Sequence, residues 1–98
     1  MLHVEKYSHL GYIIETMRYK FIIEQLLNSN PDCKLIDGFD EAVIGHTQNK
    51  SPFVAVYDIE KFISIMIENG YNPKEAVDEF ENILKKNLGK NDPVFISL

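Results

Sequence analysis

Two short runs of β-branched and aromatic residues lie near the middle of the chain, on either side of a polar gap. The runs cover residues 41–47 and 53–57, and Pro52 ends the gap between them. Apolar β-formers bounded by turn residues predict the two strands of a hairpin, and Gly45 within the first strand indicates a bulge or a close backbone approach. Because an isolated hairpin is barely stable, another strand must pair with it and helices must cover it.

Two helices with well-marked ends follow the hairpin. Asp58 is a good N-cap and Gly70 a good residue after the last turn, which bounds the first of these helices. Its predicted apolar face is Ile59, Phe62, Ile63 and Met66. Asn72, Pro73 and Glu75 occupy the N-cap, N1 and N3 positions of the second helix, a pattern that predicts a capping box. Its predicted buried stripe is Ala76, Val77, Phe80 and Leu84, with Ile83 and Leu88 at the edges.

The segment VFISL, which follows Pro93, predicts a last strand. On one side of it lie Val94, Ile96 and Leu98. The order of elements is then α-β-β-α-α-β, which indicates an α+β fold with helices packed on a short antiparallel or mixed three-stranded sheet. We expect a single domain over residues 1–98, made of an N-terminal helix (1–30) and a ββααβ unit (39–98).

The predicted first helix, residues 8–28 with Ser8 as its N-cap, is apolar on two sides. One face consists of Leu10, Ile13, Ile14, Met17 and Phe21. The opposite stripe consists of Tyr12, Tyr19, Ile23 and Leu26. We assign the first face to the core. Either the helix crosses the middle of its own domain, so that the second face is also covered by the same chain, or another chain covers the second face. Pro31 ends the helix.

The composition limits the classes of protein that this chain fits. Its 98 residues are 45% hydrophobic, which suits one small globular domain. The 15 Asp and Glu against 10 Lys and Arg give a net charge of −5, which disfavours direct nucleic-acid binding. The single cysteine, Cys33, indicates a reducing compartment, and no stretch predicts a membrane span or a signal peptide. We therefore expect a cytoplasmic protein.

Side chains capable of chemistry are few and scattered. The set that could supply a thiol nucleophile, a base and an orienting group is Cys33, Asp37 and His46. No family signature surrounds Cys33, the histidines His3, His9 and His46 match no zinc spacing, and the acids of residues 32–41 lack the EF-hand spacing. We expect no catalytic residue, cofactor or metal site, and we interpret His46 as a strand-end residue before the hairpin loop.

An acidic surface is predicted on the last helix. Its members, with one acid that precedes the helix, are Glu68, Glu75, Asp78, Glu79 and Glu81. This face is either solvated or a docking surface for basic residues. Tyrosine is enriched at interfaces, which makes the first helix a second candidate surface. The predicted partner-binding residues are Tyr12, Tyr19, Ile23, Glu75, Asp78 and Glu79.

Three segments in fixed order carry a resemblance to a known family. They are FDEAVIG (39–45), VYDIEKFISIMIENGYNPKEAVDEFE (56–81), and Gly89 followed by PVFI (93–96). Together they resemble a family of small bacteriophage and prophage proteins with the pattern FDxAIIG, VYDxxKxIxxLM, EEA and GxxxPxF. The resemblance covers residues 39–96. The family has no established biochemical function, so it supplies no site residues, and Lys85 and Lys86 stand where its members have small residues and a glycine.

The resemblance implies a phage-type accessory protein in the cytoplasm of a bacterial host. Small acidic phage proteins without chemistry often act by binding host machinery, an analogy at the level of class. We therefore expect a non-enzymatic protein that forms a homo-oligomer such as a homodimer and binds a protein partner. The hypothesis extends to an inhibitor of a host defence system, in the manner of anti-CRISPR proteins. The alternative is a phage structural or assembly protein whose main property is homo-oligomerisation.

Overall fold

The computed structural model describes residues 17–48, 52–87 and 89–98. Within these residues, three helices and a three-stranded sheet follow one another in the order α-β-β-α-α-β, which confirms the predicted α+β class. The elements are α1 (17–29), β1 (Val43–His46), β2 (Ala55–Asp58), α2 (Ile59–Glu68), α3 (Pro73–Lys86) and β3 (Val94–Ile96). The predicted N-cap Ser8 lies outside the described residues.

The sheet is mixed, with the strand order β1-β2-β3. β1 and β2 are antiparallel, as the hairpin pattern predicts, whereas β3 runs parallel to β2 with Val94 opposite Val56. A parallel partner requires a long crossover connection, and α2 and α3 together provide it. The register of β1 against β2 shifts between Val43 and Gly45, which confirms the irregularity predicted at this glycine.

The first strand is shorter than predicted, because a single turn of 3-10 helix replaces its beginning. This turn is Asp40–Ala42, so β1 starts at Val43 rather than at Glu41. The Ala42 N–H donates to the Phe39 carbonyl oxygen at 2.9 Å, and Ala42 is fully buried. The turn serves the core, since it leaves the ring of Phe39 stacked on that of Phe62 with the centroids 3.8 Å apart.

Three predicted helix ends, the start and end of α2 and the start of α3, are confirmed. The Asp58 carboxylate accepts from the Glu60 N–H at 3.3 Å, and Gly70, with φ of +106°, follows the end of α2. At the start of α3, the Asn72 side chain accepts from the Glu75 N–H at 2.9 Å, and the Glu75 side chain accepts from the Asn72 N–H at 3.0 Å. Local capping chemistry thus places both helices without help from distant residues.

Aromatic rings form the centre of the core, and each comes from a different segment of the chain. They are Phe39, Tyr57, Phe62, Phe80 and Phe95. Phe62 of α2 is fully buried and contacts each of the other four rings. Its ring centroid lies 5.6 Å from that of Tyr57 in β2, 5.7 Å from Phe80 in α3 and 5.2 Å from Phe95 in β3. Phe62 therefore joins α2 to α3 and to two strands of the sheet, β2 and β3.

The buried stripe of α3 is rotated from the predicted one. Ala76 and Phe80 are buried and Ile83 packs against the core, but Val77 and Leu84 are exposed. Residues at i, i+4 and i+7 share one helix face, and the contact between Phe80 and Phe95 turns that face inward. Val77 and Leu84 each lie one position further along the chain, which is a rotation of about 100°.

Candidate interaction surface

Cys33 and His46, two of the three groups considered for catalysis, pack against other residues, whereas Asp37 is exposed. Cys33 is buried, and burial raises the pKa of its thiol above the ordinary value of 9.0, which disfavours the nucleophilic thiolate. His46 is the last residue of β1, as predicted, and its ring is tilted against that of Phe53 with the centroids 5.6 Å apart. Its Nδ1 lies 2.8 Å from the Thr47 carbonyl oxygen, so a donated hydrogen bond requires the Nδ1-protonated tautomer.

The metal hypotheses find no support in the described part of the chain. Residues 17–48, 52–87 and 89–98 contain no group of three or more His, Cys, Asp or Glu side chains placed to hold a metal ion. His3 and His9 lie outside the described residues.

The two faces of α1 are exchanged relative to the prediction. Leu26 is only 1% exposed and packs in the core, and Tyr19 and Ile23 are partly buried against it. Met17 and Phe21, which were assigned to the core, are 65% and 60% exposed. The assignment of Tyr19 and Ile23 to the face turned away from the core is therefore wrong. We call the surface formed by Met17 and Phe21 the outer α1 face; Tyr12 lies outside the described residues.

The last turn of α1 explains this orientation. Asn30 follows Leu26 by four residues, shares its face and is 8% exposed. Its side-chain N–H₂ donates to the Phe53 carbonyl oxygen at 2.8 Å and to Asn91 Oδ1 at 3.1 Å, and its Oδ1 accepts from the Asp32 N–H at 3.2 Å. A buried amide must keep its partners, so these bonds fix the rotation of the helix.

Sequence reasoning missed the role of Asn30 because the residue fits equally well as a polar helix end. The signal that could have revealed it is its spacing. Asn30 continues the period of Ile23 and Leu26, so the stripe that faces the core ends in an amide that can be satisfied inside the protein. Apolar character alone cannot decide between two stripes of similar hydrophobicity.

The acidic residues predicted to form a surface on α3 differ in exposure and in hydrogen bonding. Asp78 is exposed, Glu79 is half-buried, and the Glu75 carboxylate is already engaged in the capping box of the helix. The ion pairs among the described residues lie elsewhere, between Lys34 and Asp92 and between Lys61 and Glu41. The partner-binding role of the α3 acids stays a prediction.

An open groove of about 550 Å³ lies at the start of β3, beside the end of α3. It is lined by Pro52, Val54, Leu84, Asn87, Gly89, Lys90, Asp92, Pro93, Val94 and Phe95. Most of these side chains are apolar, and Lys90 and Asp92 contribute one positive and one negative charge. The groove can therefore accept an apolar side chain from another molecule.

Comparisons with protein-family models, with curated proteins and with solved structures find no match to this chain. Among the helices of residues 17–48, 52–87 and 89–98, none is both long enough and apolar enough to span a bilayer.

Tyr57 gives the protein a predicted sensitivity to alkaline pH. Its hydroxyl accepts from the Ile36 N–H at 2.9 Å, and burial of the ring raises the pKa of Tyr57 above the ordinary value of 10.0. The unfolded chain then loses its proton first, so the stability due to this group is present below pH 10.0 and is lost as pH rises through the raised folded pKa. We expect Tyr57→Phe to lower the free energy of unfolding at neutral pH by about 1–3 kcal/mol and to reduce its fall in alkali.

Urea denaturation between about pH 8 and pH 11 checks this expectation. Tyr71→Phe, at an exposed tyrosine, is the matched control. Cys33→Ala separates the thiol, whose contribution also falls above pH 9.0 because its pKa is raised. An alkaline fall as steep in Tyr57→Phe as in the native chain would contradict the assignment.

Proposed function

We propose that this chain is a non-enzymatic, phage-type accessory protein that acts in the bacterial cytoplasm by binding a host defence protein. The outer α1 face is the binding surface. The observation that carries this proposal is the exposure of two large apolar side chains, Met17 and Phe21, on a helix whose opposite face is held in the core.

The composition and rigidity of the outer α1 face support this role. Phe and Met are enriched in protein interfaces, and residues four apart on a helix lie one above the other. The bonds of Asn30 hold the end of α1, so the helix does not need to be ordered on binding. In the sequence, the period of Met17 and Phe21 also continues back to Ile14, Ile13 and Leu10.

The partner that fits this face is a protein with an apolar groove that receives one side of a helix. The exposed charges beside the face are Arg18, Lys20 and Glu24, so the net charge of −5 lies elsewhere on the chain and favours a partner with basic surface outside the groove, because complementary charge accelerates association. A defence nuclease has such basic surface for its own nucleic-acid substrate. Occupation of that surface by an acidic protein would inhibit it.

The burial of Cys33 supports the non-enzymatic part of the proposal. A nucleophilic cysteine is accessible and has a lowered pKa, whereas burial raises the pKa of the Cys33 thiol. His46 is half-buried, and its Nδ1 faces the Thr47 carbonyl oxygen. A buried thiol with a raised pKa lacks the environment that a nucleophilic role requires.

Substitution of the outer α1 face tests the function. We compare the native chain with Met17→Glu/Phe21→Glu and with the control Ile67→Glu, at an exposed residue of α2 that is 42% exposed. Each is expressed in bacteria that carry one defence system, and the plating efficiency of a phage restricted by that system is measured. The native chain and Ile67→Glu should restore plating, and the double variant should not.

Capture from the same bacteria identifies the partner. A defence protein should be retained by the tagged native chain and by Ile67→Glu, and lost with the double variant. Restoration of plating by the double variant would show that the outer α1 face is not the binding surface. Failure of the native chain against CRISPR–Cas and restriction systems alike would contradict the assignment to host defence.

A further inference from the structure

β3 has one edge that no strand pairs with among the residues that the structure describes. It is the last strand in the order β1-β2-β3 and is joined only to β2. Just before β3, the Asn87 side chain donates to the Pro93 carbonyl oxygen at 2.6 Å. The strand itself begins at Val94.

The open edge lacks the usual protection against pairing. Native proteins place lysine, proline or a bulge on an edge strand, but residues 94–98 are VFISL, without a charge or a proline. Ile96 and Leu98 are exposed, and Leu98 reaches 80% exposure. In a chain with a net charge of −5, the side chains of this mostly apolar segment carry no charge, so two copies can bring them together without repulsion between side chains.

We propose that β3 pairs with β3 of a second copy, antiparallel and across a two-fold axis, to form a continuous six-stranded sheet. A two-fold axis perpendicular to a sheet requires one residue to lie opposite its own counterpart, because directly opposed side chains share a face. The structure assigns Ile96 to this position. Leu98 of each copy then lies opposite Val94 of the other.

The groove at the start of β3 explains this register. Val94 pairs with Val56, so the two side chains lie on one face of the sheet, and the alternation along the strand adds Ile96 and Leu98 to that face. Val94 also lines the groove of about 550 Å³. Each copy thus offers an exposed leucine at one end of the edge and an apolar groove at the other, and antiparallel pairing brings them together.

The contact is small, and this sets the expected strength of the dimer. Edge pairing of a few residues lies at the low end of interface size, so we expect a monomer–dimer equilibrium that depends on concentration. Sedimentation equilibrium of the native chain should show the average mass rising with concentration. In Ile96→Lys/Leu98→Lys, the dissociation constant of the dimer should rise by about tenfold or more. The two-fold axis places the new lysines of both copies along the same edge, where their like charges repel.

Two further variants keep this measurement decisive. Leu98→Lys alone changes a residue that is 80% exposed, so it preserves the fold if Ile96→Lys disturbs it. Ile67→Lys adds the same charge on α2, at a residue of similar exposure to Ile96, and should dimerise like the native chain. Circular dichroism confirms that each variant is folded.

Cysteine cross-linking tests the register. In a Cys33→Ser background, Ile96→Cys, Ser97→Cys and Leu98→Cys are oxidised separately. Opposed residues have Cα atoms about 4.5–5.5 Å apart, within the range of a disulfide, whereas residues displaced by two positions are about 7–8 Å apart. Ile96→Cys should therefore form the covalent dimer fastest.

Three results would overturn the proposal. They are a native mass that stays monomeric at every concentration, equal cross-linking rates at the three positions, and unchanged dimerisation in both lysine variants of the edge. Loss of the dimer in Met17→Glu/Phe21→Glu would also overturn it, because self-association would then use the outer α1 face. Since the edge and the outer α1 face are substituted separately, failure of the dimer proposal leaves the proposed function standing, and the reverse is also true.

Discussion

Replacing Phe62 with alanine is expected to lower the free energy of unfolding by about 3–5 kcal/mol. A domain of this size has a total stability of about 5–15 kcal/mol, so the substitution should remove a substantial part of it. Phe62 is fully buried, and its ring meets four other rings that belong to β2, α3, β3 and the segment before β1. No smaller side chain at this position can contact all four.

The size of the effect follows from the cavity as well as from the lost transfer energy. The neighbours of Phe62 are themselves aromatic and are held by other elements, so they cannot collapse into the space without moving the sheet or a helix. Within this total, the stacked contact with Phe39 and the perpendicular contact with Phe95 each contribute about 0.5–1.5 kcal/mol beyond the burial of apolar area. These contributions are coupled, because one ring is shared among all the contacts.

Urea denaturation at neutral pH measures this effect. Ile67→Ala is the matched control, since Ile67 lies on the same helix but is exposed, and its loss should change stability by no more than about 0.5 kcal/mol. Phe62→Leu fills more of the space and should lie between the two. Equal midpoints for Phe62→Ala and Ile67→Ala would mean that the aromatic cluster does not hold the fold together.

The elements that sequence reasoning placed well are those fixed by local chemistry. The capping box of Asn72 and Glu75 involves atoms only three residues apart, and Gly70 adopts its left-handed conformation without reference to the rest of the chain. His46 ends β1 for the same kind of reason, because the polar residues that predict the turn begin two positions later. Such signals can be read from a short window.

The features that sequence reasoning misplaced depend on contacts between distant segments of the chain. The rotation of α1 is set by bonds from Asn30 to Phe53 and Asn91, which are 23 and 61 residues away in the sequence. Likewise, Val77 and Leu84 are displaced from the core by the contact of Phe80 with Phe95. Where a helix has two apolar stripes, tertiary contacts decide which one is buried.

The orientation of α1 also decides which residues form the candidate site. That the first helix is apolar on two sides could be predicted, but the face left exposed is the one assigned to the core. The edge of β3 required the strand order, because residues 94–98 could equally have paired on both sides. The period of a sequence shows which residues share a face, and only the assembled fold shows which face is free.

The orientation of α1 predicts opposite results for two matched pairs of substitutions. Tyr19→Glu/Ile23→Glu and Met17→Glu/Phe21→Glu each place two carboxylates four residues apart on the same helix. The effects on helix propensity and on repulsion between like charges are therefore similar. Only the direction of the face differs.

Tyr19→Glu/Ile23→Glu should lower the free energy of unfolding by about 3 kcal/mol or more, because it forces charges against the core beside Leu26. In the native fold these carboxylates would have to lose most of their hydration or push α1 away from the sheet. Met17→Glu/Phe21→Glu changes exposed side chains and should stay within about 0.5 kcal/mol of the native chain.

Thermal denaturation followed by circular dichroism compares the pairs, and a difference of 1 kcal/mol shifts Tm by about 4–8 °C in a domain of this size. The reverse order of stabilities would mean that Met17 and Phe21 face the core after all. The comparison also bears on function, because loss of binding in a variant as stable as the native chain reports on the surface alone. Met17→Glu/Phe21→Glu can therefore separate binding from folding, whereas Tyr19→Glu/Ile23→Glu, which tests the face first chosen from the sequence, cannot.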